Sequence, residues 1–454
     1  MSSIITTYSQ FLDQLNSLIV NTPSGVGQGD IGLKRTKSLL SYLGDPQEKL
    51  PVIHIAGTSG KGSTAYFISS LLVAHGFRVG LHFKPHVYDV RERFQINGAL
   101  ISEEKTVSYA NRVWEAVEKV KKQTSYGTPT YFEIIVAIAY LVFSGEKVDF
   151  AVIETGMGGL YDGTNVVENP SKTAVITRLG IDHTNILGHT KEEIAYQKAK
   201  IIQPGNTVIS LFQDPVQRKV IEKVAHEAGS TIAYVKKNIT FKSQSMGTSV
   251  CFDFSFQDLT LNGIRLHTSG EFQIENAALA LTTLCILSKK YGFPLSAKTI
   301  RETLDTVQII GRYQKIQYKD SLVILDGAHN TQKMKAFLTS LSHDYPRQKF
   351  VFIVAIKEQK DSARILKQIG VYAKEIILTT FEPNKQDIRY TAQSPKQLSK
   401  QMQKATLATV TIKEDPYEAF AYATKHDKTV VVTGSLYLVS EILAHFFHQV
   451  DNTG

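Results

Sequence analysis

Residues 57–64, Gly57-Thr58-Ser59-Gly60-Lys61-Gly62-Ser63-Thr64, place three glycines, one lysine and four hydroxyl side chains in eight positions. That composition suits phosphate. Glycines let backbone N–H groups approach phosphate oxygens, and a helix starting there adds positive potential. Lys61 would reach the β- and γ-phosphates, and the hydroxyl of Ser63 would hold Mg²⁺. The strict G-x-x-x-x-G-K-[ST] pattern is not met, because Ile55 occupies the first glycine position and Gly62 follows Lys61. The loop therefore reads as a variant with its hydroxyl displaced by one residue, and Thr58, Ser59, Gly60, Lys61, Gly62 and Ser63 are its candidate ATP contacts.

Further acids, imidazoles and amines recur at strand ends, where open α/β sheets bind ligands. Glu154 ends an apolar run and precedes Thr155-Gly156-Met157-Gly158-Gly159, so its carboxylate could ligate Mg²⁺. Gly180-Ile181-Asp182-His183-Thr184 presents a carboxylate and an imidazole after the next run. Taken alone, His183 is more simply structural and Lys198 is a solvated helix lysine; beside Lys61 and Glu154 the balance for His183 moves towards function. Leu325-Asp326-Gly327-Ala328-His329-Asn330 repeats the pattern, making His329 a candidate catalytic group, and Thr433-Gly434-Ser435 does so after a later run. Arg312, in Gly311-Arg312-Tyr313, could reach a phosphate across a cleft.

The elements that must position these groups alternate between short β-branched runs and helical patterns, the signature of βαβ units. Runs at 51–56, 148–153 and 173–177 read as buried strands, with helices expected near 61–75, 103–122, 131–144 and 191–200. From about 239 to 273 the pattern alternates as in an antiparallel excursion, and a helix is expected over 274–289. The stretch 294–311 reads as the approach to a boundary, after which strands restart at 322–325, 350–354 and 429–432. We expect an α/β fold with two domains, 1–308 carrying the phosphate loop and 309–454 forming a smaller α/β unit.

Composition narrows the class. Of 454 residues, 43% are hydrophobic and 20% charged, ordinary values for a globular protein too long for one core. Two cysteines, Cys251 and Cys285, exclude a disulfide framework and fit a reducing compartment. The opening Met1-Ser2-Ser3-Ile4-Ile5 lacks a basic stretch before an apolar run, and no run reaches the ~18 residues of a membrane span. A cytoplasmic protein is expected. The net charge of +9 is scattered, without a basic tract interleaved with aromatics, so it reads first as a solvated surface with an excess of lysine and second as a field for small anions; neither nucleic acid nor a membrane is an expected partner.

Together these segments resemble the folylpolyglutamate synthase and dihydrofolate synthase family, a branch of the Mur ligase superfamily. The likeness runs from Ile31-Gly32-Leu33 to Gly434-Ser435-Leu436-Tyr437-Leu438. It includes the phosphate loop, Pro85-His86, Asp89-Val90-Arg91-Glu92-Arg93-Phe94-Gln95-Ile96-Asn97-Gly98 and Asp162-Gly163-Thr164-Asn165-Val166. It continues through Asp182-His183-Thr184-Asn185-Ile186-Leu187-Gly188, Asn276-Ala277-Ala278-Leu279-Ala280-Leu281, Gly311-Arg312 and Asp326-Gly327-Ala328-His329-Asn330.

The resemblance implies a Mur-ligase-like fold: a P-loop-type, mainly parallel sheet plus a smaller C-terminal α/β domain. It implies a monomer with ATP, Mg²⁺, L-glutamate and folate or dihydropteroate as partners. The acid's carboxylate becomes an acyl-phosphate that the glutamate amine attacks. By the same likeness Glu154 and His183 bind magnesium, Lys198 is carbamylated, and Asn276, Arg312 and Asp326 contact ATP. Pterin-side contacts fall on Ile31, Gly32 and Leu33, on Thr130, Tyr131, Phe132 and Glu133, and on Tyr161, Asp162 and Gly163. The chain departs from the family at Ser59, where Asn is usual, at Gln197 and Lys200 around Lys198, at Leu160 for Arg, and at Lys84 for the Ser before Pro-His. Lys84 is expected beside the phosphate loop, after a strand at 78–82. Two other readings stay open: a Mur-type amide ligase for another acid, and a nucleotide-binding protein without catalytic power.

Overall fold

The computed structural model describes residues 4–19, 29–246, 249–266, 270–358, 360–382, 391–402 and 408–447. Seven strands form the first sheet: β1 (Val52–Ala56), β2 (Val79–His82), β3 (Gln95–Ile96), β4 (Phe150–Glu154), β5 (Thr173–Ile176), β6 (Thr207–Leu211) and β7 (Thr231–Val235). Their order is β3-β2-β4-β1-β5-β6-β7, and every pairing is parallel except β2 with β3. All five residues of β1 and of β4 are buried, because helices cover both faces of a parallel sheet. The central strand β1 lies between β4 and β5, which puts the ends bearing Glu154 and Asp182 on either side of the phosphate loop.

The helix Tyr131–Gly145 is apolar nearly all round, and Ile134 through Phe143 are buried without a break. Thr130 starts it with a capping box: its side chain accepts from Glu133 N–H while Glu133 accepts from Thr130 N–H. Gly80 in β2 lets this helix approach, since a Cβ there would lie 2.4 Å from Cδ1 of Phe143. On the other face, helix Lys61–Ala74 and helix Glu271–Tyr291 share one apolar cluster with β1, β2 and β4. The alternating stretch forms a small antiparallel sheet of β8 (Phe241–Met246), β9 (Ser249–Phe256) and β10 (Leu259–Leu266).

The second large sheet contains β11 (Gln314–Tyr318), β12 (Ser321–Leu325), β13 (Phe350–Val354), β14 (Ala373–Leu378), β15 (Thr409–Ile412) and β16 (Thr429–Thr433). Its order is β11-β12-β16-β13-β14-β15, with only β11 antiparallel. Separate apolar clusters cover its two faces.

One segment differs from its reading. Within 294–311 stands a helix, Ala297–Thr306, with Ser296 accepting from Thr299 N–H as its cap. Only Ile300 and Leu304 of that helix are buried, so a single contact every fourth residue left too sparse a pattern to read. No helix among the described residues is long and apolar enough to cross a membrane.

Gly80→Ala forces its methyl into the Phe143 ring, which is fully buried. Overpacking of this kind costs about 1–3 kcal/mol. A lowered denaturation midpoint is the expected result; an unchanged midpoint would show that the helix can slide off β2 at no cost.

Candidate active site

The carboxyl ends of β1, β4, β5, β12 and β16 face a cleft of about 480 Å³. The phosphate loop forms its floor. Gly60 is in the left-handed region at φ 86° and begins helix Lys61–Ala74; a Cβ there would lie 2.2 Å from Oδ1 of Asn276. The loop is bolted to β5: Thr58 and Ser59 N–H both donate to the Arg178 carbonyl, at 3.0 and 3.2 Å, and Thr58 Oγ1 donates to Gly180 O at 2.9 Å. Those two N–H groups are therefore committed to the scaffold. The donors left for a phosphate are the first-turn N–H groups that no helix satisfies internally, from Gly60 to Ser63.

Two amines converge on one carbonyl. Lys61 Nζ donates to Gly57 O at 3.2 Å, and Lys198 Nζ, from helix Lys191–Ala199, donates to the same oxygen at 3.0 Å. Burial lowers the pKa of Lys61, with Glu154 at 3.9 Å opposing the shift. Lys198 is buried, and burial together with the Lys61 charge brings its pKa down to about 7. Its surroundings overturn the solvated reading of this lysine.

Glu154 lies against the first helical turn, its Oε2 3.3 Å from where a Gly62 Cβ would be. The same oxygen accepts from Lys84 N–H at 3.2 Å. Lys84 follows β2 and lines the cleft, its ammonium 5.4 Å from the centre of the Phe132 ring. On the opposite flank, Asp182 pairs with Lys360 of the second sheet at 3.6 Å. Burial would raise the Asp182 carboxyl, but His183, Lys360 and Lys333 outweigh it and hold the carboxyl low. His183, at φ 50°, lies 3.9 Å from Asp182. Enclosure between the cleft walls, offset in part by Asp182, lowers its pKa to about 4, so the imidazole is neutral near pH 7.

The second sheet contributes the facing wall. Burial raises Asp326 to about 6; its carboxylate accepts from Tyr313 N–H and Ala328 N–H, both at 2.8 Å. Asp326 thus ties the loop after β12 to Arg312, whose Nη1 lies 2.7 Å from where a Gly327 Cβ would be. His329 Nδ1 donates to Gly327 O at 2.8 Å, leaving Nε2 to accept from Lys333 at 3.3 Å. The Lys333 charge and burial keep this imidazole neutral. Lys333 itself is lowered to about 7 by burial and Arg312, and Lys357 to about 7 by burial and Lys360.

An alcove opens beside β4, with Gly32, Thr130, Phe132, Glu133, Tyr161, Asp162 and Gly163 at its wall. Of the other candidates there, Tyr131 is core: it is 1% exposed and packs with the large apolar cluster of the first sheet. Ile31 and Leu33 share the half-buried first turn of a helix with Gly32 but do not themselves line the cleft, and Leu33 packs against that same cluster. Glu133 is fully engaged, accepting from Arg35 Nε at 2.9 Å and Nη2 at 2.8 Å. Asn276 and Ser63 are buried behind the loop surface. The sequence reading missed Arg35, Lys333, Lys357 and Lys360, which carry no local motif and meet the site only through the fold.

A phosphate loop on one parallel sheet, facing a second α/β sheet across a cation-lined cleft, is the arrangement of a Mur-type ligase. The Mur ligase middle domain matches residues 55–284, and the dihydrofolate synthetase C-terminal domain matches residues 307–445. The chain is 32% identical over 417 residues to the dihydrofolate synthase/folylpolyglutamate synthase of Bacillus subtilis, covering 90% of this chain and 94% of that one. Folylpolyglutamate synthase of Mycobacterium tuberculosis, solved with ADP and AMPPCP, superposes with a TM-score of 0.84 at 26% identity, covering 97% of this chain and 99% of that one. An FPGS–AMPPCP–folate complex superposes at 0.80 with 27% identity, covering 97% and 100%. The chain belongs to the dihydrofolate synthase and folylpolyglutamate synthase family.

The lowered lysines predict that nucleotide binding depends on pH. At pH 8 the amines of Lys333 and Lys357, with pKa values near 7, are mostly neutral, and a nearby polyphosphate raises their pKa. Binding ATP at pH 8 should therefore take up protons, and the uptake should vanish near pH 6, where the amines are already charged. Calorimetry in buffers of different ionisation enthalpy measures it; zero uptake at pH 8 would contradict the assignment.

Proposed function

We propose that the protein joins L-glutamate to folate at the expense of ATP, and that dihydropteroate is also accepted as the acid. The observation that supports this best is the division of the cleft: Lys61 and the loop N-terminus lie on one side, an aromatic alcove with Phe132 and Tyr161 on another, and the Arg312–His329 wall opposite. A pterin acid in the alcove would present its carboxylate to a γ-phosphate over Lys61. Carboxylate oxygen attacks phosphorus, the bond to ADP breaks, and an acyl-phosphate forms; the glutamate amine then attacks the acyl carbon and phosphate leaves. Lys61 and Arg312 would neutralise charge that develops on the phosphoryl oxygens. The neutral imidazole of His329 lines the same cleft and would take the proton that the amine sheds once Lys333 turns from its Nε2 to the phosphate, while His183 would act through the ion it holds.

Mg²⁺ fits the residues present. Glu154 sits beside the turn that carries Ser63, and neutral His183 has a free lone pair, so these three would hold it. Among the described residues no three or more His, Cys, Asp or Glu side chains form a metal site on their own. Phosphate oxygens and water would complete the shell, as is usual for this ion. The ion supplies charge neutralisation for the phosphates. Asn276 and Asp326 would act on ATP through the loops they brace, Asn276 against Gly60 and Asp326 against Tyr313 and Ala328. We read 1–308 as the ATP-binding unit and 309–454 as the glutamate-ligase unit of a cytoplasmic monomer.

ADP release with folate, dihydropteroate and glutamate omitted in turn tests this reading. Release that needs both an acid and glutamate is expected, and release with dihydropteroate marks both reactions. Lys61→Ala should remove roughly 3–4 kcal/mol of transition-state stabilisation, a loss of more than about a hundredfold. Near-normal release by that variant would dismiss the phosphate-loop assignment.

We propose that Lys198 is carbamylated, as the family resemblance implies; its lowered pKa supplies the neutral amine that reacts with CO₂, a property it shares with Lys333 and Lys357. Its nitrogen would bond to the carbon of CO₂ and lose a proton to solvent, turning a cation into an anion. Lys198→Ala should be nearly inactive and regain activity with a short carboxylic acid. Absence of any rescue would argue for a plain lysine.

A further inference from the structure

His54 occupies the middle of β1, wholly buried between Ile53 and Ile55, where an aliphatic residue would suit the core better. Its Nε2 lies 2.9 Å from Thr164 Oγ1 and 3.1 Å from Thr155 Oγ1, while Nδ1 is buried with no partner among the described residues. Burial holds the ring neutral. A hydroxyl has one hydrogen to give, and Thr164 gives it to Asp162 Oδ1. The Thr164 oxygen then accepts from His54, which puts the ring proton on Nε2, shared with Thr155 Oγ1, and the bare lone pair on Nδ1. A buried ring nitrogen left without a partner is a cost that an ordinary core residue would not carry.

We infer that His54 is a positioning residue for the acid-substrate alcove, acting through an ordered chain from His54 Nε2–H to Thr164 Oγ1–H to Asp162. Asp162 in turn accepts from Gly156 N–H at 3.1 Å, Met157 N–H at 2.6 Å and Thr164 N–H at 3.0 Å. The Gly156–Met157 turn runs between this carboxylate and the Phe132 ring: a Cβ on Gly156 would lie 2.4 Å from Phe132 Cζ and 2.8 Å from Asp162 Oδ2. All of these residues except His54 and Thr164 line the alcove. His54 therefore fixes the alcove wall from behind the sheet, although it is only three positions from the phosphate loop. A purely structural role in β1 would disturb the loop, and with it ATP, at least as much.

The inference rests on the reading of the alcove as the folate side. Steady-state kinetics of His54→Leu and Thr164→Val separate the two roles. Each should raise the KM for folate about tenfold, the scale of one hydrogen bond to a charged group, with the KM for ATP within about twofold of the parent. His54→Gln, which keeps a donor near the Nε2 position, should restore most of the folate KM. A KM for ATP that rises in step, an unchanged folate KM, or a His54→Gln no better than His54→Leu would each overturn the chain. If His54→Leu fails to fold, Thr164→Val decides the matter by the same measurement. If the parent enzyme does not turn over folate, the substrate reading fails on its own. The chain is then decided by hydrogen exchange in the ligand-free protein: faster exchange of the Gly156 and Met157 amides in Thr164→Val supports it, and parental rates refute it.

Discussion

Positive charge concentrated between two sheets is the constraint on which this structure turns. Lys61, Lys84, Lys333, Lys357, Lys360, Arg35, Arg93 and Arg312 all line one cleft, joined by Lys198 while it is unmodified, against Glu133, Glu154, Asp162 and Asp182. Like charges in a confined space repel and lose hydration together, so without an anion the folded chain lowers several of their pKa values rather than hold every proton. A lysine whose pKa falls from 10.5 to about 7 on folding binds fewer protons than its unfolded counterpart between those limits. Ligand-free stability from these groups accordingly rises with pH through that window, and their penalty is fully present below pH 7. A polyphosphate relieves the same penalty, which makes the anion part of what completes the fold of the cleft.

The rest of the architecture serves to hold that charge in place. Neither sheet could do so alone, since Lys61 and Lys198 come from helices on the first and Lys333, Lys357 and Lys360 from the second. The carbonyl of Gly57 anchors two amines, and the Arg178 carbonyl takes the N–H groups of Thr58 and Ser59. The loop is therefore set before any ligand arrives, and little reorganisation is left for the binding step.

Much of this was legible because it is local. A Gly-rich turn between a buried strand and a helix announces phosphate by composition alone, and β-branched runs such as 350–354 announce strands. The alternating stretch showed its antiparallel sheet for the same reason. What stayed hidden depends on distance along the chain. Nothing near Lys333 or Lys360 in sequence signals that each will face a loop some 270–300 residues away, an arrangement set only by how the sheets pack. Tyr131 stood within a run of expected substrate contacts, yet helical geometry turned it inward while its neighbours Thr130 and Phe132 faced the alcove. His54 looked like one more residue of an apolar strand, and its significance lies in two threonines more than a hundred positions away.

The Lys360–Asp182 pair, 3.6 Å across the two sheets, makes the cleft a thermodynamic balance with two pans. An incoming phosphate draws on Lys360, and Asp182 then loses a counter-charge and becomes a better home for a proton. Linkage makes the exchange symmetrical: whatever draws Lys360 towards a ligand weakens its pairing with Asp182, and whatever tightens that pairing costs the ligand's contact with Lys360 the same coupling free energy. This one contact and the anion are thus reciprocally coupled, and ionic strength, which screens both, shifts them together.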